Sequence, residues 1–424
     1  MIRNSSNKKI IHCNLMQSFV AAAHDEKAAV VIHNTRSCSS IAMRAYFGLR
    51  NRVSGVEREK LGRGNNLFCT ALTDKEAVFG GNDKLEQCLL DICRERKPDY
   101  ILVACGCVPG VMGDDVRTVC NTVREKTDVP VLLLPGAGFM VPGLLDMVLA
   151  ATDMLFAEFT CPLAGKVPKR KDEAVIIGLS AYYISKEVFR EIKELFALLG
   201  YTKIYCPPVG ETKRDYQKMA SVSLAASLCL GVVQKEAGKQ MGERFAQIMD
   251  VPLLDLNRSS EPSETLTILR TAEQILGERP ELKKQIDERH DFYEKKRKQA
   301  FRNLSGKTCL LAADLPFRFF RPKGTIRFLQ SLGMTVKGFL LLDTVRAGKR
   351  EEAEDFIRDN NFEMKCYSMS EAKSAADVLV TGMPLQIPVK QFVFQSQHFS
   401  FEGWCREIDR LTGLVQGRTG GGNG

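Results

Sequence analysis

The stretch DYILVACGCVPGVMGDDV (99–116) decides the reading of the fold. An apolar run over 99–104 breaks into Cys-Gly-Cys, a Pro- and Gly-containing turn, and two aspartates at the head of a helical pattern over 114–126. A buried strand that runs straight into a helix is one step of a parallel α/β sheet. Working outward, AAVVIH (28–33) and VPVLLL (129–134) read as buried strands of the same sheet, with a helix over 83–96. A second unit begins after the basic stretch 166–172. It has strands at 174–179, 202–206 and 251–256 and helices over 186–199, from Asp215, and over 235–249. A third has strands at 307–313, 335–342, 377–382 and 391–395, with helices over 324–332 and 350–359. Between the second and third units, 261–303 contains no strand pattern and carries ELKKQIDERHDFYEKKRKQAFRN. It reads as one or two amphipathic helices bridging domains, with the charges on a solvated face. A last helix over 401–414 precedes GRTGGGNG, expected to be a flexible tail.

The chain has 424 residues, 44% hydrophobic and 26% charged, an ordinary globular composition that suggests two or three domains. Sixty Lys and Arg against 51 Asp and Glu give a formal charge of +9, too mild to mark a nucleic-acid partner. The most apolar stretch, 131–159, is broken by Pro135, Pro142, Asp146 and Asp153, so no membrane span is expected. Residues 1–19 lack the apolar core of a secretory signal, and a cytoplasmic location is expected.

Fourteen cysteines in a reducing compartment point away from a disulfide framework and toward thiolate ligands for iron–sulfur chemistry. Cys88, Cys93, Cys120, Cys309 and Cys366 sit inside helix or strand patterns and read as small buried hydrophobes. Two nucleotide signatures fail. SGKT (305–308) lacks the earlier glycine of a phosphate loop, and GAGF (136–139) lacks the third glycine of a dinucleotide fingerprint. What stands out is Cys13, Cys38 after the strand AAVVIH, Cys69, and Cys105 with Cys107 after the strand DYILVA. Ligand sites in open parallel sheets form beyond the carboxyl ends of the strands, so these thiols can converge. From spacing alone, a set of buried thiols is equally consistent, because no compact C-x-x-C run is present.

TDKEAVFGGNDKLEQ (73–87) followed by VACGCVPGVMGDDV (103–116) resembles the nitrogenase component 1 family. That family also contains protochlorophyllide reductase subunits, a reductive cyclase of coenzyme F430 synthesis and cofactor-assembly scaffolds. The resemblance spans nearly the whole chain. It implies an α/β protein of three Rossmann-like domains with mostly parallel sheets and a C-terminal segment returning to the first. This places domains at 1–168, 169–303 and 304–398, with a C-terminal helix and tail at 399–424. It implies that Cys13, Cys38 and Cys107 hold a bridging iron–sulfur cluster. Cys38 follows Cys13 by 25 residues after IHNTRSC, and Cys107 opens CVPGVMGDD. Ser37 departs from the family's usual glycine, and the additional Cys69 and Cys105 leave open a four-iron cubane or a larger shared cluster. For a second metallocofactor the candidates are Cys229 in SLCLG and His398 in FVFQSQHFSFEGW, whose FEGW resembles the family's terminal motif with the histidine one residue out of register.

Two functions are compatible with this resemblance. One is a nitrogenase-like oxidoreductase subunit that relays electrons from an ATP-dependent iron-protein reductase to a substrate. The other is a noncatalytic scaffold for assembling a nitrogenase-type metallocluster. Both imply a homologous component 1 subunit as partner. Gly80, Gly81, Gly110 and Gly113 read as points of close backbone approach, with a plain turn the simpler role for the first two. Asp114 and Asp115 read as an N-cap and a first-turn acid.

Overall fold

The computed structural model describes residues 25–52, 65–137, 144–178, 186–208, 210–228, 235–257, 259–277, 279–313, 322–341, 348–382, 384–386, 389–395 and 397–417. Cys13 and Cys229 lie outside these. The first sheet contains β1 (Ala28–His33), β2 (Leu67–Cys69), β3 (Tyr100–Cys105) and β4 (Val131–Ala137), in the order β2-β1-β3-β4. The second contains β5 (Arg170–Ile177), β6 (Lys203–Tyr205), β7 (Val222–Ser227) and β8 (Leu253–Asp255), in the order β6-β5-β7-β8. The third contains β9 (Thr308–Ala313), β10 (Thr335–Leu341), β11 (Lys365–Tyr367), β12 (Val378–Thr381) and β13 (Gln391–Val393), in the order β11-β10-β9-β12-β13. Every strand pairing is parallel.

The described residues form two compact units. One takes 25–189 and 200–257, with the first two sheets; the other takes 190–199 and 259–417, with the third. In the first unit, every residue of β1 and β3 is buried because both faces of the sheet are covered. Val30, Ile32, Tyr100 and Leu102 face a core shared with the second sheet, including Phe156, Tyr216 and Phe245. Ala29, Val31, Ile101 and Val103 face the helices Asn82–Arg96 and Val116–Thr127. Those helices supply Leu85, Leu89 and Ile92 and Val116, Val119 and Val123, the spacing of one apolar stripe.

In the second unit, 259–304 resolves into helices Pro262–Leu276 and Pro280–Leu304, each with proline at its first turn, where the missing N–H costs nothing. Leu282, Ile286, Tyr293, Ala300 and Leu304 are the buried stripe of the longer helix, which packs against the C-terminal helix Phe401–Val415. Its charged side chains stay partly exposed, and some pair with the C-terminal helix. Arg289 reaches Glu402 at 2.5 Å and Lys296 reaches Asp409 at 2.6 Å, both across to the C-terminal helix.

Among the elements left unassigned by the sequence are the helices Arg36–Arg52, Glu76–Phe79 and Cys107–Met112 and the edge strands β2 and β11. β4 runs on to Ala137, beyond the predicted 134, because an edge strand tolerates Pro135. Of the cysteines read as buried, Cys120 and Cys309 are, whereas Cys88, Cys93 and Cys366 are half-buried.

Gly338 in β10 sits at a register irregularity with φ +151°, and a Cβ there would stand 1.8 Å from the Lys365 carbonyl oxygen of β11. Gly338→Ala is therefore expected to cost at least about 1–3 kcal/mol and to speed amide hydrogen exchange across Lys365–Tyr367. Unaltered exchange in the Gly338 variant would contradict the packing described.

Candidate metal centre

The chain leaves β1 toward β2 on one side and β3 toward β4 on the other, so the carboxyl ends of β1 and β3 flank the crevice where such sheets bind ligands. His33 and Cys105 are paired at that edge, and the Gly106 N–H donates to the His33 carbonyl at 2.9 Å. Both strands then turn directly into helices. Cys38 lies in the first turn of Arg36–Arg52, its N–H donating to the Thr35 carbonyl at 3.2 Å. Cys107 is the first residue of Cys107–Met112, behind Gly106 as N-cap. Both thiols are half-buried and free of disulfides.

Asn34, buried at 1% exposure, stands beside them. Its side-chain Nδ2 donates to Cys38 Sγ at 3.1 Å, while its Oδ1 is buried with no partner among the described residues. A Cβ on Gly106 would lie 2.0 Å from Asn34 Nδ2, so the glycine between the two cysteines of CGC makes room for this amide.

The crevice is held by a second set of contacts. His33 is fully buried, with Nε2 at 3.1 Å from Asp114 Oδ2 and Nδ1 at 3.1 Å from Thr70 Oγ1. Burial pulls the imidazole below its usual pKa, against the opposing pull of Asp114, which favours a neutral ring. A neutral ring that donates from Nε2 to the carboxylate accepts at Nδ1 from the Thr70 hydroxyl. Thr70 Oγ1 in turn accepts from the Asn34 N–H at 3.2 Å. Asp114 also accepts from the Gly81 N–H, at 3.2 and 3.0 Å to its two oxygens. A Cβ on Gly81 would sit 2.9 Å from Asp114 Oδ2, His33 Cε1 and Leu72 Cδ2, so this glycine marks a close approach and not a plain turn. Asp115 caps the helix Val116–Thr127 by accepting from the Thr118 N–H at 3.1 Å. Asp114 instead ties the FGG segment to the end of β1, a role the sequence reading assigned to the helix terminus. Gly110 is equally constrained, since its Cβ would meet that of Ala137 at 2.3 Å.

The extra cysteines of the sequence reading lie beside the same strand ends, on opposite faces of the sheet. Cys105 packs into the core against the helices Asn82–Arg96 and Val116–Thr127, and burial pushes its thiol up to about 11. Cys69, across from Ile32, packs toward the opposite face and donates to the Asn34 carbonyl at 3.4 Å. Among the described residues, no three His, Cys, Asp or Glu side chains are grouped to hold a metal ion. The donor chemistry nevertheless fits an iron–sulfur cluster: free thiols after adjacent strand ends, an amide N–H aimed at one sulfur, and a neighbouring carboxylate occupied by Gly81 and His33.

His398 lies in the other unit, 2% exposed, with Nδ1 at 3.0 Å from Glu191 Oε1 and Nε2 at 3.8 Å from Glu407 Oε1. Glu191 also accepts from the Phe399 N–H at 3.0 Å and from Arg406 at 2.5 Å, and Arg410 reaches Glu407 at 2.6 Å. The glycine of FEGW has a structural reason here: a Cβ on Gly403 would lie 2.4 Å from Glu191 Oε1 and 2.5 Å from His398 Nδ1. The neighbouring Trp404 donates to Thr265 Oγ1 at 2.8 Å. The sequence reading missed Asn34 and Glu191; Asn34 stands four residues before Cys38, whereas Glu191 is 207 residues from His398 and carries no sequence signal.

The family model for nitrogenase component 1 type oxidoreductases matches residues 13–411. A nitrogenase iron-molybdenum cofactor biosynthesis protein NifE from Clostridium pasteurianum is 38% identical over 109 residues, 26% of this chain and 22% of that protein. NifE from Methanosarcina barkeri is 26% identical over 241 residues, 53% of this chain and 50% of the relative. NifN from Nostoc sp. (strain PCC 7120 / SAG 25.82 / UTEX 2576) is 23% identical over 295 residues, 64% of this chain and 62% of the relative. The matches thus span less than two thirds of these relatives' own lengths. The solved structure described as nitrogenase Cp1 at pH 6.5 shares the fold, with a TM-score of 0.63 at 15% identity over 96% of this chain and 92% of that one. With the family model matched from one cluster-candidate cysteine to the final helix, and the two motif segments joined at the end of β1, this chain belongs to the nitrogenase component 1 type oxidoreductase family.

Proposed function

We propose that this chain is a scaffold subunit on which a nitrogenase-type metallocluster is assembled, and that Cys13, Cys38 and Cys107 hold an iron–sulfur cluster in it. The observation that carries the ligand assignment is the placement of Cys38 and Cys107 in the helical turns that leave two directly paired strands, with an amide N–H turned to the Cys38 sulfur. When bound, such a cluster supplies one-electron chemistry at low potential. The chain's own residues position it: His33 and Asp114 fix the end of β1, and Gly106 lets Asn34 approach. The scaffold role draws support from relatives named for cofactor biosynthesis. The electron-relay reading uses the same thiols and adds an ATP-dependent iron-protein reductase.

A homologous component 1 subunit is the partner proposed. The helix Glu76–Phe79 packs against Cys107–Met112, and their Val78, Phe79 and Val111 are 69%, 81% and 72% exposed beside the proposed ligand Cys107. Apolar side chains grouped this way on a surface are a mark of an interface.

Three outcomes follow from this function. Purified anaerobically, Cys38→Ala and Cys107→Ala should each lose most of the iron and sulfide found in the parent, whereas Cys366→Ala in the other unit retains it. Full iron in both site variants would remove the assignment. A protein loaded with precursor cluster should pass metal to an apo acceptor without ATP-dependent substrate turnover, while ATP-dependent turnover with a reductase would favour the relay instead. Finally, Phe79→Asp should lower the mass seen in sedimentation when the chain is co-expressed with its homologous subunit. An unchanged mass would place the interface elsewhere.

A further inference from the structure

We propose that Asn34 is a positioning residue for the cluster: its side-chain amide donates a hydrogen bond to the Cys38 sulfur and raises the reduction potential of the iron that sulfur binds. The inference rests on the reading that Cys38 is a ligand, and it adds a residue that neither the sequence motifs nor the thiol spacing singled out.

Three observations carry it. The Nδ2 to Sγ separation is 3.1 Å, and Asn34 is buried beside the half-buried Cys38, so the donor is shielded from water. The amide presents its N–H and not its oxygen, leaving Oδ1 buried and without a partner among the described residues. A neutral thiol could serve as donor to that oxygen. Turning the N–H to the sulfur is favoured when the sulfur carries negative charge, as a metal-bound thiolate does, because hydrogen bonds to charged acceptors are the stronger ones. The geometry is also fixed from several sides. The Asn34 N–H is held by Thr70 Oγ1 at 3.2 Å, and its carbonyl accepts from the Leu72 N–H at 3.0 Å and from Cys69 Sγ at 3.4 Å. Gly106 leaves the space its side chain fills. Thr35 Oγ1, 3.9 Å from the same sulfur and 2.9 Å from Ser37 Oγ, is the weaker neighbour.

A donor to a ligating sulfur withdraws charge from the iron and eases its reduction. In the full chain, purified anaerobically with its partner subunit and reconstituted with iron and sulfide, Asn34→Leu removes the donor at similar volume. The midpoint potential followed by electron paramagnetic resonance should move to more negative values while iron per chain stays at the parent level. An unchanged midpoint at parent iron content overturns the proposal. Wild-type protein offers a check that does not depend on the variant folding: iron–sulfur stretching bands in resonance Raman spectra should shift on exchange into D2O, and this shift should be lost in Gly106→Ala, which displaces the amide. The absence of any isotope shift in the wild type overturns the proposal as well. Failure of the underlying reading looks different, since Cys38→Ala would then keep both its iron and its spectrum.

Discussion

The pairing of β1 with β3, in the register that sets His33 opposite Cys105, is the constraint on which the site depends. Strand pairing fixes where two helices begin, and those helices carry Cys38 and Cys107. A slip of one residue would turn every side chain of β1 to the other face of the sheet, moving Val31 and Ile32 between two different cores. The buried contact of His33 with Asp114 guards that register. It joins the end of β1 to the segment after Cys107, and through the Gly81 N–H it brings in the loop before the helix Asn82–Arg96. The Asp114 carboxylate thus accepts from both the imidazole and a backbone N–H, and hydrogen bonds to a charged acceptor are the stronger ones.

Much of the architecture was legible in the chain. Residues 28–33 form a strand as expected, because AAVVIH is apolar throughout and both its faces are covered. Three-residue strands such as LFC at 67–69 carry too little periodicity to be read, and the four-residue helix Glu76–Phe79 has no buried face to leave a pattern. The cysteines after β1 and β3 were legible by their place in the chain. The separation of Cys69 and Cys105 to opposite faces was not, because it follows from pleat and pairing. Asp114 shows the same limit: next to a helix it reads as a cap, and only the tertiary structure shows that the true cap is Asp115. Asn34 has no sequence signal of its own, and its role depends on a missing side chain at Gly106, 72 residues away.

The other unit has a buried charge cluster of its own. Around Gly403, Glu191 contacts Arg406 and His398 Nδ1, Glu407 pairs with Arg410, and Trp404 is packed against Phe328 and the ring of His398. Such a cluster fixes the start of the C-terminal helix, because removing one partner strands a buried charge. The glycine of the terminal F-E-G-W pattern is thereby accounted for by packing, since a Cβ there would meet Glu191 and His398.

The central claim is that Cys38 and Cys107 meet on one inorganic core. Iron anomalous scattering from crystals of the anaerobically purified protein tests this most directly. The account predicts an iron peak bonded to both sulfurs beyond the ends of β1 and β3. Iron bound elsewhere, with these two sulfurs left as free thiols, would contradict it.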